Sequence, residues 1–232
     1  KIREACFREK SGLQVDRLYG RFVMDSLKLH LPDIYLRTPV SNLQASVDMD
    51  LNAFADKKPG KVMAQVHGAI GRSDLFLFVS DVLPKPMKRR WPFYPMKVDG
   101  SFRGNMQRAS FSGLRVSLPS AFELSADGSL CNLTDFNRFK ADVDLKARTY
   151  NLGFVTAMLD PSLMREIRVP SGIGIRGNIK MDGSKYATRL AVSEGHGSMK
   201  LDAKVEIPHK RNGDMDMSRL AYQAKILARN VQ

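Results

Sequence analysis

The chain has 232 residues, 43% of them hydrophobic and 26% charged, with 17 Gly and 11 Pro. That composition excludes wholesale disorder, and no apolar run approaches the roughly 20 residues a membrane-spanning helix needs. Basic residues exceed acidic ones by 13, a balance that favours anionic partners, while Cys6 and Cys131 make neither a disulfide framework nor a CxxC metal site.

Taken in chain order, the sequence is dominated by a period of two. Leu27, Leu29 and Leu31 alternate with Lys28 and His30, and Pro32 closes the run. Val47, Met49 and Leu51 alternate with Asp48 and Asp50, and Val62 and Val66 continue the same apolar series. Successive strand side chains point to opposite faces, so each run has one dry and one charged side. This is the half-buried antiparallel pattern, not the continuously apolar strands of a doubly wound sheet.

Residues 74–83 break the alternation. Asp74 opens an apolar stretch containing Leu75 and Val79, and Pro84 ends it, which predicts a short helix with an Asx N-cap. A cationic and aromatic patch follows: Lys85, Lys88, Arg89 and Arg90 beside Trp91, the only tryptophan, with Phe93 and Tyr94 next to it. Such a composition suits lipid headgroups or nucleic-acid stacking, but the plainer reading is an exposed Pro-rich connection whose aromatics close off the end of a sheet.

Alternation resumes at Ala109 and Phe111, then slips by one residue to Leu114, Val116 and Leu118. A β-bulge at Gly113 would restore the dry face. Phe122 and Leu124 follow, and Val143 and Leu145 alternate with Asp142, Asp144 and Lys146. Residues 151–159 form the second predicted helix, with Asn151 at its front, Phe154, Val155 and Leu159 on its apolar side and Pro161 beyond it. Ile173, Ile175, Ile179 and Met181 then lead to Asp182-Gly183, a hairpin candidate. Met199, Leu201, Ala203, Val205 and Ile207 precede a second candidate at Asn212-Gly213.

The two predicted helices begin 77 residues apart, and Arg103-Gly104-Asn105 recurs as Arg176-Gly177-Asn178. The spacing predicts one continuous β-repeat segment over 1–232, with approximate repeats at 1–84, 85–161 and 162–232, each about four strands and a short helix. A third helix should begin near residue 228. Arrays of this kind bury each unit against the next.

Catalytic motifs find no support. Gly172, Gly174 and Gly177 match GxGxxG, but they run into alternating Ile179 and Met181 instead of opening a helix, so glycines easing strand curvature is the better reading. The four histidines lie far apart without metal-ligand spacing, and no GxSxG or P-loop occurs. No enzyme activity, metal or cofactor is expected. Asp48, Asp50, Asp142 and Asp144 fall on charged strand sides, where solvation is the usual explanation.

The stretch Ser117-Leu-Pro-Ser-Ala-Phe122-Glu-Leu-Ser-Ala-Asp-Gly128, followed by Asn132-Leu-Thr-Asp-Phe-Asn-Arg-Phe-Lys-Ala-Asp-Val-Asp-Leu-Lys-Ala147, resembles the AsmA-like and TamB (translocation and assembly module) family of Gram-negative envelope proteins, particularly its Bacteroidetes members. The likeness runs from about Leu27 onward. It implies an elongated, taco-like, largely antiparallel sheet with an apolar trough, the two helices lying on its concave side. It also implies a segment of an inner-membrane-anchored periplasmic protein that binds or conducts lipid in outer-membrane biogenesis. Partners would be phospholipid or other acyl chains and outer-membrane assembly proteins, with no nucleic acid. The trough lining transfers onto the apolar members of the alternations above, and the helices would occlude it in part. The alternative expectation is a closed-core β-repeat scaffold or surface protein that binds protein partners.

Overall fold

The computed structural model describes residues 2–10, 12–55, 57–79, 83–135, 138–157, 172–195, 197–208 and 219–229. In order, the strands are β1 (Ile2–Arg8), β2 (Gln14–Gly20), β3 (Val23–Met24), β4 (Lys28–Arg37), β5 (Asn42–Asp50) and β6 (Val62–Ile70). After them come α1 (Arg72–Val79) and α2 (Lys85–Arg90), then β7 (Met96–Gly104), β8 (Arg108–Leu118), β9 (Phe122–Cys131) and β10 (Lys140–Thr149). The helix α3 (Gly153–Thr156) precedes β11 (Gly174–Asp182), β12 (Lys185–Glu194), β13 (Gly197–Glu206) and β14 (Ala221–Arg229).

Each strand pairs antiparallel with its neighbour in sequence, apart from the two-residue β3, which lies off the main path on β4. The result is one open, elongated and curved sheet of 14 strands that does not close on itself. The mainly antiparallel β architecture expected from the alternation is therefore what the chain forms. Helical segments interrupt the meander twice, after β6 and after β10, with four strands between the interruptions.

Paired residues share a face, so the registers carry one face assignment across the sheet. Val143 pairs with Gly128 and Ile179, and Leu145 with Ala126 and Gly177. Continuing outward, Val116, Leu118, Val98 and Val66 on one side and Leu190, Leu201 and Ile226 on the other all fall on the face of Val143.

Two bulges keep that face apolar. On β8, Phe111 pairs with Gly128 and Leu114 with Ala126, so Ser112 and Gly113 together oppose Asp127. Gly113 adopts φ 60°, and its N–H donates to Asp127 Oδ1 at 2.7 Å. This is the bulge the phase slip predicts. On β4, Pro32 and Asp33 together oppose Ser46, which moves the apolar phase from Leu29 and Leu31 to Ile34 and Leu36.

The densest packing lies at one end of the strands. Trp91, Leu118, Ala121 and Phe154 form a buried cluster, with Leu75, Phe76, Met87, Met96, Phe122 and Val155 packed against it. Trp91 meets Phe154 edge-on at 5.1 Å between centroids and Phe76 at 6.0 Å. The helices thus fold over the apolar face at the end marked by Met96, Leu118 and Phe122.

Four local expectations change. Asp74 does not cap α1, which starts at Arg72; it is buried and accepts hydrogen bonds from the Thr38 and Ser41 hydroxyls, tying the β4–β5 turn to the helix. The β11–β12 hairpin turns at Gly183-Ser184, one residue later than expected, because Asp182 still pairs with Lys185. Residues 85–90 are helical, with Pro86 in the first turn where its missing N–H costs nothing. Residue 228 belongs to β14 instead of starting a third helix. The Asn212-Gly213 turn lies outside the described residues.

Candidate functional site: an open apolar face

Of the expected lining residues, every one that lies within a strand falls on a single face. These are Leu29, Leu31, Val47, Met49, Val62, Val66, Leu114, Val116, Leu118, Phe122, Leu124, Val143, Leu145, Ile175, Ile179, Met199, Leu201 and Val205. Leu27, Leu51 and Ile173 lie just outside strand ends, with Leu27 72% exposed and Leu51 48%. Ile34, Leu36, Leu43, Val98, Phe102, Phe111, Leu130, Leu190, Val192 and Ile226 join the same face. The phase shift at Pro32-Asp33 hides Ile34 and Leu36 from simple alternation, whereas Val98 and Phe102 alternate regularly along β7 around the side-chain-free Gly100.

Among the described residues no second layer covers this face along most of its length. Its apolar strand residues from β4 to β13 are nevertheless half-buried or better, with Val66 the most exposed large one at 36%. Neighbouring side chains and the curve of the sheet provide the shelter. Near β11–β14 the face includes a cavity of about 470 Å³ whose lining includes Met181, Tyr186, Val205 and Tyr222.

The opposite face is polar. Asp142 Oδ2 pairs with Lys180 Nζ at 2.7 Å, Lys140 with Asp182 at 2.9 Å, and Arg189 with Asp202 at 3.3 Å. Asn178 Nδ2 donates to Asp142 Oδ1 at 2.7 Å and to Asp144 Oδ1 at 3.0 Å. The Asn178 amide, and then Lys180, hold the Asp142 carboxyl below its ordinary range. His30 pairs with Asp48 and His67 with Asp99, each directly across adjacent strands. A groove of about 560 Å³ runs over the short Ser46, Ser101 and Ser112 side chains, beside Tyr19, Tyr35 and His67.

The helix residues divide. Phe154 is 4% exposed, Leu75, Val79 and Val155 are half-buried, and Leu159 lies outside the described residues. Asn151 Oδ1 accepts the Gly153 N–H at 2.8 Å, so this Asx residue does support the start of α3. Trp91 departs from the expected headgroup patch. It is 8% exposed and sits in the buried cluster, where its indole closes off the sheet end. Lys85, Arg89 and Arg90 stay exposed, Lys88 is half-buried, and the aromatics that face outward are Phe93 at 86% and Tyr94 at 58%.

Among the described residues no group of His, Cys, Asp and Glu could hold a metal ion, and no helix is long and apolar enough to cross a membrane. No protein-family model, curated protein or solved structure matches the chain.

Proposed function

We propose that the chain is a lipid-binding or lipid-conducting segment that acts without catalysis, its apolar face serving as a trough for acyl chains. One observation supports this above the rest. From β4 to β14 the apolar face carries one charged strand residue, Glu194 at the exposed end of β12, and among the described residues helices cover it at only one end. Exposed apolar surface on that scale costs free energy unless a ligand or partner covers it. Acyl chains fit because they need no hydrogen bonds, and this face offers few: Thr149, Thr188, Tyr186, Tyr222 and the strand-end Glu194 are its polar exceptions among the described strand residues.

The AsmA-like and TamB resemblance agrees with this reading. It adds a periplasmic setting, within an inner-membrane-anchored protein of a Gram-negative envelope that serves outer-membrane biogenesis. Under this proposal the helices narrow one side of the trough and leave the rest open.

Native mass spectrometry of gently purified protein tests it. Phospholipid should co-purify, and lipid-stripped protein should take up a fluorescent fatty acid. Protein that is consistently lipid-free and refuses the fatty acid would sink the proposal and favour a scaffold whose apolar face meets protein.

A further inference from the structure

The helix-bearing end of the sheet combines features that the trough does not use. Lys85, Arg89 and Arg90 on α2 are exposed and form no ion pair among the described residues. Residues 83–97 contain no acidic side chain, and the nearby Asp74 is buried against Thr38 and Ser41. Large apolar side chains of the same helical region are also exposed to solvent: Phe78 on α1 is 73% exposed, and Phe93 and Tyr94, just after α2, are 86% and 58% exposed.

This surface is mounted rigidly. Met87 packs inward from α2 onto the buried cluster, and Trp91 anchors the segment from below. The Arg72 guanidinium lies over the rings of Phe76 and Phe93, at 5.3 and 4.7 Å from their centroids, and donates to the Lys88 carbonyl at 2.7 Å. Phe93 is thus held under the Arg72 guanidinium while most of its ring stays in water.

We propose that this end docks on the surface of an anionic lipid bilayer, the α2 cations meeting headgroup phosphates while Phe78, Phe93 and Tyr94 enter the interfacial layer. Basic residues near a membrane are attracted by its negative surface potential, and aromatic side chains favour the headgroup level. A nucleic-acid strand fits less well, since tracking its backbone takes a basic groove with successive stacking platforms. The proposal deepens the lipid reading by naming a membrane contact, yet it rests on different residues, so the two can fail separately.

Vesicle flotation tests it, using phosphatidylcholine vesicles with and without phosphatidylglycerol. The protein should float with the anionic vesicles and much less with the neutral ones, and added salt should weaken binding. Each surface cation is worth on the order of fivefold in partition, so Arg89→Glu with Arg90→Glu should lower binding by about 25-fold or more. Phe93→Ala with Tyr94→Ala should weaken it several-fold. Trp91, being buried, reports folding: its emission should match wild type in both double variants. Val143→Asp should keep vesicle binding even where it loses co-purifying lipid. Equal binding to both vesicle types, or indifference to both double variants, would overturn the proposal. So would retention of single-stranded DNA without vesicle binding, or displacement from vesicles by millimolar inorganic phosphate.

Discussion

On β10, Val143 lies between Gly128 and Ile179, whereas Asp142 lies between Ser129 and Lys180. One step along the chain therefore separates the apolar path from the charged one, as strand geometry requires. Val143→Asp places a carboxylate among acyl chains at a cost of roughly 2–3 kcal/mol even if it takes up a proton. Lipid occupancy by native mass spectrometry should fall at least about tenfold in a variant that keeps its circular dichroism spectrum. A folded variant carrying wild-type lipid would remove this strand from the trough. Asp142→Asn should leave lipid unchanged and act on acid stability instead. Asn178 and Lys180 lower the folded-state pKa of Asp142 from its ordinary 3.8, so its stabilising contribution is present above that value and lost as pH falls through the folded value. The melting temperatures of wild type and Asp142→Asn should converge below pH 3.8. Gly177 makes a separate residue-scale point. It adopts φ 156°, and an added Cβ would meet the Arg189 carbonyl oxygen at 1.9 Å. The GxGxxG match thus comes from a strand glycine pressed against its neighbour, and Gly177→Ala should cost more than about 2 kcal/mol in urea unfolding.

At the scale of elements, the long alternating runs were legible because burial of one face enforces the period over five or more residues. The short elements were less so. The helix α2 has six residues, a proline and four cations, so no apolar periodicity announces it; its one apolar side chain outside the proline, Met87, docks on the cluster around Trp91, and that tertiary contact holds it. The strand β14 did carry a signal in Tyr222, Ala224, Ile226 and Ala228, all on the apolar face, which the expectation of a third helix obscured. Asp74 shows why a cap motif misleads: the same side chain that could satisfy helix N–H groups satisfies a neighbouring turn instead. Ser41 Oγ donates to Asp74 at 2.5 Å and accepts the Gly71 N–H at 2.9 Å, so the buried network has few spare partners. Asp74→Ala should therefore destabilise by about 2–3 kcal/mol, whereas Asp74→Asn should keep a good part of it. Urea denaturation distinguishes the two, and equal small losses for both would show that the network does not hold α1.

Across the whole molecule, a single-layer sheet has few contacts that reach beyond neighbouring strands, so stability need not be uniform along it. The centre is reinforced: β7, β8 and β9 lend Met96, Leu118 and Phe122 to the helix cluster. The end at β14 is not. Every residue of β14 is exposed, including Tyr222 at 77% and Ile226 at 59%, and the described strands place no partner on its outer side. If acyl chains occupy the apolar face, they supply in β11–β14 the cover that helices supply in β7–β9. A ligand that binds only the folded state stabilises what it covers. Removing lipid with mild detergent should therefore speed amide exchange in β11–β14 by at least about tenfold, while β8 and β9 near the Trp91 cluster change little. Exchange that rises equally in all strands would mean that the sheet opens as one cooperative unit. Exchange unaffected anywhere by delipidation would mean that lipid contributes nothing to this face.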